Sequence, residues 1–115
     1  MSKHTISFQN AFRGIWTAIA TQANIRIHFA VASLVIFAAV YLKIDLDHIL
    51  DLLVAISIVM LAEMINTSIE FLCDAVTLEH SENIKRAKDV SAGAVLISAI
   101  FAALIGLVVF IPKLI

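Results

Sequence analysis

The chain has 115 residues, 62% of them hydrophobic, and a formal net charge of −1 at pH 7. Soluble domains usually have an apolar share near ~45–50%, so this composition and a mean hydropathy of +1.02 indicate a small integral membrane protein. The charge balance gives no basic surface of the kind that binds nucleic acid, and the single cysteine, Cys73, excludes an intrachain disulfide.

We expect one all-α membrane domain over residues 1–115, with an amino-terminal surface helix at residues 7–23. In that segment Phe8, Phe12 and Trp16 recur on one helical face. The pattern favours an amphipathic helix lying on the membrane, with Trp16 at headgroup level. The alternative is a helix packed on a soluble core. Three transmembrane helices are predicted at residues 27–42, 49–72 and 90–111, the last ended by Pro112.

Positive charge is distributed unevenly about these spans. Six Lys and Arg residues lie before the first span or in the 73–89 loop, and two lie on the opposite side. Because positive residues are retained on the cytoplasmic side, the amino terminus and the 73–89 loop are predicted to be cytoplasmic. The carboxyl terminus is then outside.

The second span carries a row of polar side chains. Glu63, Asn66, Glu70 and Asp74 are spaced three, four and four residues apart, which places them on one helical face. Such a stripe on an apolar membrane helix is costly, so we expect it to be paired, hydrated or functional. Glu63 lies about 21 Å along the helix from residue 49, inside the cytoplasmic half of the membrane.

Small residues recur along the third span. Ala94, Ser98, Ala102 and Gly106 stand at four-residue intervals, a spacing that lets membrane helices approach closely. Three spans can hardly enclose a polar site alone, so the pattern predicts a homo-oligomer. The alternative is that alanine serves only as an apolar filler.

The polar face and the basic 73–89 loop suggest a bound cation with an anionic ligand. Mg²⁺ commonly takes one or two carboxylates together with substrate phosphates. The isolated glycines rule out a phosphate-binding glycine-rich loop, so phosphoryl transfer would have to use side chains and metal. Glu63, the deepest acid, suits a general base. Two alternatives remain: structural acids paired with Arg26, His28 or Lys88, and a non-enzymatic oligomeric subunit that conducts protons or cations.

Two motifs carry a family resemblance. Glu63-Met64-Ile65-Asn66-Thr67-Ser68-Ile69-Glu70 and the downstream run from Ala87 to Leu96 closely resemble the prokaryotic diacylglycerol kinase family, and Asn24–His28 looks more like its undecaprenol kinase branch. The likeness covers the chain from about Phe8 to Phe110. It implies a homotrimer with composite active sites in the bacterial inner membrane. It also implies ATP- and Mg²⁺-dependent phosphorylation of a lipid hydroxyl, undecaprenol being favoured and diacylglycerol next.

The resemblance also assigns site residues by position. Glu63 falls at the general base, and Glu70 and Gln22 at metal-binding positions. Nucleotide contacts are implied for Lys3, Asn10, Glu70, Glu79, His80, Ser81, Lys88 and Asp89. Lipid contacts are implied for Trp16, Asn24, Ile25, Arg26, Ile27, His28 and Asn66. Gln22 departs from the family, which usually has a glutamate there, so an oxygen ligand is kept while a full charge is lost.

Overall fold

The computed structural model describes residues 7–76 and 81–115, and these form four α-helices. Three of the four are long and apolar enough to cross a membrane. The predicted all-α class with three candidate spans is therefore confirmed. The helices are α1 (Phe8–Thr21), α2 (Ala23–Tyr41), α3 (Leu46–Val76) and α4 (Glu82–Leu114).

A single residue separates α1 from α2. Gln22 adopts an extended conformation (φ −115°, ψ 110°), so α1 ends at Thr21 and α2 begins directly afterwards. Arg26 Nη1 donates to the carbonyl oxygens of Ile19 (2.7 Å) and Ala20 (3.2 Å). A cation at these carboxyl-terminal carbonyls satisfies acceptors that the helix leaves unpaired and complements its dipole. Arg26 therefore fixes α1 against the start of α2.

The turn from α2 to α3 is held by two backbone hydrogen bonds. Ile44 N–H donates to Ala39 (3.0 Å) and Lys43 N–H donates to Val40 (3.1 Å), the pattern of a Schellman motif. Lys43 takes the left-handed position (φ 59°) that glycine more often fills. Ile44 is buried and packs with Ala39, Leu52 and Val109, which anchors this end of the bundle.

Helices α3 and α4 pack against each other more extensively than any other pair. They contain 31 and 33 residues, about 46 and 50 Å at ~1.5 Å per residue, whereas the hydrocarbon core is ~30 Å thick. Both helices therefore extend beyond the predicted spans. Helix α4 also continues through Pro112, contrary to the prediction that Pro112 ends it, because a proline removes only its own N–H donor and Ile115 N–H still donates to Ile111 (3.2 Å).

Burial in the single chain is sparse and selective. Large apolar side chains such as Phe37 and Val108 are exposed on the outer faces of the helices. Three polar side chains, Glu63, Thr67 and Ser91, are nevertheless buried. Since burying polar groups is costly unless they are paired, these residues mark the part of the interior where a site is expected.

Candidate active site

The deepest element of the site is a pair of side chains joining α2 to α3. His28 Nε2 lies 3.1 Å from Glu63 Oε1, and the two side chains are 29% and 4% exposed. A buried carboxylate needs such a partner. The pairing of Glu63 with His28, one of the alternatives left open by the sequence, is therefore observed. His28 is the more exposed member of the pair.

About one helical turn along α3, a second polar group links α3 to α4. Asn66 Nδ2 donates to Glu70 Oε1 at 3.4 Å. Ser91 Oγ, on α4, donates to Asn66 Oδ1 at 2.6 Å and lies 3.0 Å from the carbonyl oxygen of Lys88. Ser91 is buried, while Asn66 and Glu70 are half-buried. The three side chains form a continuous hydrogen-bonded row.

Two ion pairs lie farther along the same helices. Lys88 Nζ donates to Asp74 Oδ1 at 2.8 Å and so joins α4 to α3, while Lys85 Nζ donates to Asp89 Oδ2 at 2.7 Å within α4. The family resemblance assigned Lys88 and Asp89 to the nucleotide, and the structure places both in ion pairs. These pairs are largely exposed, so they are weak and a phosphate group would compete for Lys88 at little cost.

The residues assigned to the lipid are divided between surface and interior. Trp16, Asn24 and Ile27 are exposed, while Ile25 is fully buried and offers no surface to a ligand. Arg26 is occupied with the carboxyl-terminal carbonyls of α1.

Other predicted site residues lie at helix ends or outside the described ranges. Gln22 Nε2 donates to Thr21 Oγ1 at 3.3 Å, and Asn10 Oδ1 accepts from Arg13 Nη1 at 3.1 Å. Ser81 Oγ accepts from Ile84 N–H at 3.5 Å and caps α4. Lys3, Glu79 and His80 lie outside the described residues.

The donor set suits a metal only in combination with a ligand. Across residues 7–76 and 81–115, no three His, Cys, Asp or Glu side chains are grouped so that they could hold a metal ion. Glu70 supplies a half-buried carboxylate and Gln22 an amide oxygen. Mg²⁺ commonly takes one or two protein carboxylates and completes its shell with phosphate oxygens and water, so the chemistry of each of these oxygen donors suits Mg²⁺ bound together with a nucleotide.

An apolar groove of about 420 Å³ runs between α2, α3 and α4 from His28 to Phe110. Small side chains form much of its wall, and two of them, Ala102 and Gly106, belong to the small-residue stripe read from the sequence. The others are Ala32, Ala55, Ala99 and Ala103. The half of the stripe formed by Ala102 and Gly106 therefore faces an open groove in the single chain.

Sequence reasoning missed Ser91 as part of this site. Ser91 lies three residues after Lys88 and thus on the same face of α4. That spacing was the available signal, but the partner, Asn66, lies 25 residues away on another helix. The link depends on how α3 and α4 pack, which local spacing does not reveal.

Comparison with known proteins matches residues 9–110 to the model of the family described as prokaryotic diacylglycerol kinase. An undecaprenol kinase of Bacillus subtilis (strain 168) is 35% identical over 108 residues, 94% of this chain and 88% of the relative. A diacylglycerol kinase of Synechocystis sp. is 38% identical over 110 residues, 95% of this chain and 63% of the relative. The diacylglycerol kinase of Escherichia coli (strain K12) is 30% identical over 94 residues, 82% and 77% of the two chains. The matched stretch includes every polar contact described above between α2, α3 and α4.

Proposed function

The chain belongs to the prokaryotic diacylglycerol kinase family and is a lipid kinase, and from that premise we propose that it phosphorylates a membrane lipid hydroxyl with MgATP. The favoured substrate is undecaprenol, and diacylglycerol comes next. The Asn24–His28 pattern and the similarity to a protein named undecaprenol kinase support this order. A non-enzymatic subunit that conducts protons or cations is not favoured by these matches.

The observation that carries this proposal is the buried Glu63 carboxylate paired with His28. In the proposed reaction the lipid hydroxyl gives its proton to Glu63. The hydroxyl oxygen forms a bond to the γ-phosphorus of ATP, and the bond from that phosphorus to the β–γ bridging oxygen breaks, so that ADP leaves. A carboxylate acting on a hydroxyl proton in this way is general base catalysis.

His28 acts in this scheme by orienting the base. A carboxylate has two acceptor oxygens, so the one held at 3.1 Å by His28 leaves the other for the substrate hydroxyl. Because Glu63 is almost inaccessible and His28 is the more exposed partner, the hydroxyl would reach Glu63 past the edge of the imidazole. The lipid contact assigned to His28 and its bond to Glu63 are thus compatible.

Glu70 and Gln22 are the proposed metal ligands, and Asn66 lines the same site. Mg²⁺, when bound, would neutralise charge on the phosphates. The ammonium of Lys88 would offset charge on the transferring phosphoryl group. The remaining proposed nucleotide contacts are Lys3, Asn10, Glu79, His80, Ser81 and Asp89. Since Lys88 contacts Asp74 here, nucleotide binding would exchange one anionic partner for another.

We further propose a homotrimer with composite sites. The open groove lined by Ala102 and Gly106 supports it, because small residues at a groove allow a neighbouring helix to approach closely. Mass measurement in detergent would test it: a particle containing a single 12.5 kDa chain would contradict the trimer.

The proposed placement in the inner membrane puts residues 7–23 on the surface, with the amino terminus and the 73–89 loop cytoplasmic. The exposed apolar side chains of α1, among them Phe12 and Trp16, support the surface helix. Labelling of cysteines introduced singly at Ser2 and Ile115, in intact cells, would test the sidedness. Reaction of the Ser2 position with an impermeant reagent would contradict it.

The test of the activity is phosphoryl transfer to defined lipids. Purified protein in phospholipid vesicles receives γ-labelled ATP, Mg²⁺ and either undecaprenol or diacylglycerol, with vesicles lacking the protein as the control. We expect labelled lipid phosphate in both, with kcat/KM higher for undecaprenol. Equal or higher kcat/KM for diacylglycerol would reverse the substrate order, and no labelled lipid from either would overturn the proposed function.

A further inference from the structure

Ser91 is a buried polar side chain to which the proposed mechanism gives no role. It lies on α4 with 6% of its surface exposed. Its hydroxyl is 2.6 Å from Asn66 Oδ1 and 3.0 Å from the carbonyl oxygen of Lys88. One hydroxyl proton therefore has two acceptors within reach, one on each helix.

The direction of these bonds follows from Glu70. An ionised carboxylate only accepts hydrogen bonds, so Asn66 must present its amino group to Glu70 Oε1, as it does at 3.4 Å. The amide oxygen of Asn66 then faces Ser91. Because that oxygen is also only an acceptor, the Ser91 hydroxyl must donate to it. The direction of both bonds is thus set at the Glu70 end of the row.

We propose that Ser91 is a positioning residue, which holds the amide of Asn66 in one orientation and, through it, the carboxylate of Glu70. The role rests on the proposed function, in which Glu70 binds the metal and its nucleotide. Without the hydroxyl, the Asn66 amide loses its hydrogen bond to Ser91 on α4. The amide then rotates more freely, and Glu70 loses a donor fixed in place.

Ser98 provides a matched control on the same helix. It lies two helical turns farther along α4, and its hydroxyl donates to the carbonyl oxygen of Val95 at 2.8 Å. Ser98→Ala removes a serine hydroxyl bonded to the carbonyl three residues earlier, as Ser91→Ala does. It leaves the bond to Asn66 in place.

The first test reads Asn66 directly in metal-free protein. The chain contains four asparagines, so selective ¹⁵N labelling gives four side-chain amide signals, and Asn66→Asp identifies the relevant one. We expect Ser91→Ala to shift the Asn66 signal and speed its hydrogen exchange. Ser98→Ala should leave it in place, and Ser91→Thr, which keeps the hydroxyl, should restore it. An unmoved signal in Ser91→Ala, or an equal shift in Ser98→Ala, would overturn the proposal.

The second test measures the reaction. Loss of one hydrogen bond is worth about a 2- to 10-fold change in an equilibrium, so Ser91→Ala should raise the Mg²⁺ concentration for half-maximal rate by about that factor with the lipid KM unchanged. Ser98→Ala should have no such effect. An unchanged Mg²⁺ requirement in Ser91→Ala would leave Ser91 merely structural and overturn the proposal.

Two further variants keep the outcomes distinct. If Ser91→Ala does not yield folded protein, Ser91→Cys supplies a weaker donor and should displace the Asn66 signal part of the way, whereas no displacement counts against the proposal. If Glu70→Gln leaves the Mg²⁺ requirement unchanged, the proposed role of Glu70 fails. The amide signal still reports whether Ser91 holds Asn66.

Discussion

Two histidine–carboxylate pairs are placed very differently in this bundle. His28 and Glu63 come from different helices, and their side chains are 29% and 4% exposed. His48 and Asp45 are three residues apart at the start of α3, and their side chains are 53% and 63% exposed. Glu63 lies about 22 Å along α3 from His48. The same two chemical groups thus form one interhelical pair in the interior and one local pair at the turn that joins α2 to α3.

The difference shows what burial adds to a pair. The hydrogen bond from His48 lowers the pKa of Asp45, but water surrounds both groups and replaces either partner readily. Glu63 is only 4% exposed, so water does not readily take the place of His28. Removing one member of a buried pair costs about 3–5 kcal/mol in soluble proteins. Glu63 and His28 therefore depend on each other in a way that Asp45 and His48 do not.

The largest expected effect comes from removing the carboxylate of the buried pair, with the exposed pair as the control. Glu63→Gln keeps the shape of the side chain but removes the proposed base, so the rate of lipid phosphorylation should fall by roughly 10²- to 10⁴-fold. Asp45→Asn makes the same change at the exposed pair and should alter the rate by less than about twofold. Labelled lipid phosphate per minute, at saturating MgATP, measures both.

The control for this experiment is protein integrity. Helical content and particle mass in detergent should match the parent protein in both variants, so that a lost rate reports chemistry. Glu63→Gln with more than about a tenth of the parent rate would rule out Glu63 as the general base, because base catalysis supplies at least ~10²-fold.

A smaller effect is expected from removing His28, with His48 as the control. His28→Ala removes the partner of Glu63, and a hydrogen bond to a charged group is worth about 1.5–3 kcal/mol, so kcat should fall roughly 10- to 100-fold with the KM for MgATP unchanged. His28→Gln, which retains an N–H donor, should recover part of the loss. His48→Ala is the matched change at the exposed pair and should leave kcat within about twofold.

The kinetic constants separate orientation from binding. If His28→Ala raised only the KM for the lipid and left kcat intact, His28 would contact substrate without orienting Glu63. A loss of kcat as large in His48→Ala would show that burial does not distinguish the two pairs.

The polar face of α3 was easier to predict from the sequence than the contacts it makes with other helices. The polar face of α3 was predictable because Glu63, Asn66 and Glu70 follow the helical repeat on one continuous helix. The bond of Glu63 to His28 was open only as one alternative among several, since it depends on the packing of α2 against α3. The link from Asn66 to Ser91 was missed for the same reason.

Helix ends show the same division between local and long-range information. The three apolar spans follow from composition alone. The break at Gln22 has no glycine or proline to announce it, and its position is fixed by Arg26 reaching back to the carbonyl oxygens of α1. The expectation that a proline ends a helix was wrong at Pro112, because one missing N–H near a helix end does not prevent the last residues from remaining helical.

The smallest expected effect is at Gln22, which separates α1 from α2 and lies six residues before His28. If Gln22 is a metal ligand beside Glu70, Gln22→Glu adds a charge to the site and should lower the Mg²⁺ concentration for half-maximal rate about 3-fold, since ligand charge tunes the affinity of such sites. The other glutamine of the chain, Gln9, is exposed on α1. Gln9→Glu makes the same change in net charge and should leave the requirement unaltered. Equal shifts in the two variants would mean that the added charge acts through the surface potential, and no shift in Gln22→Glu would remove Gln22 from the metal site.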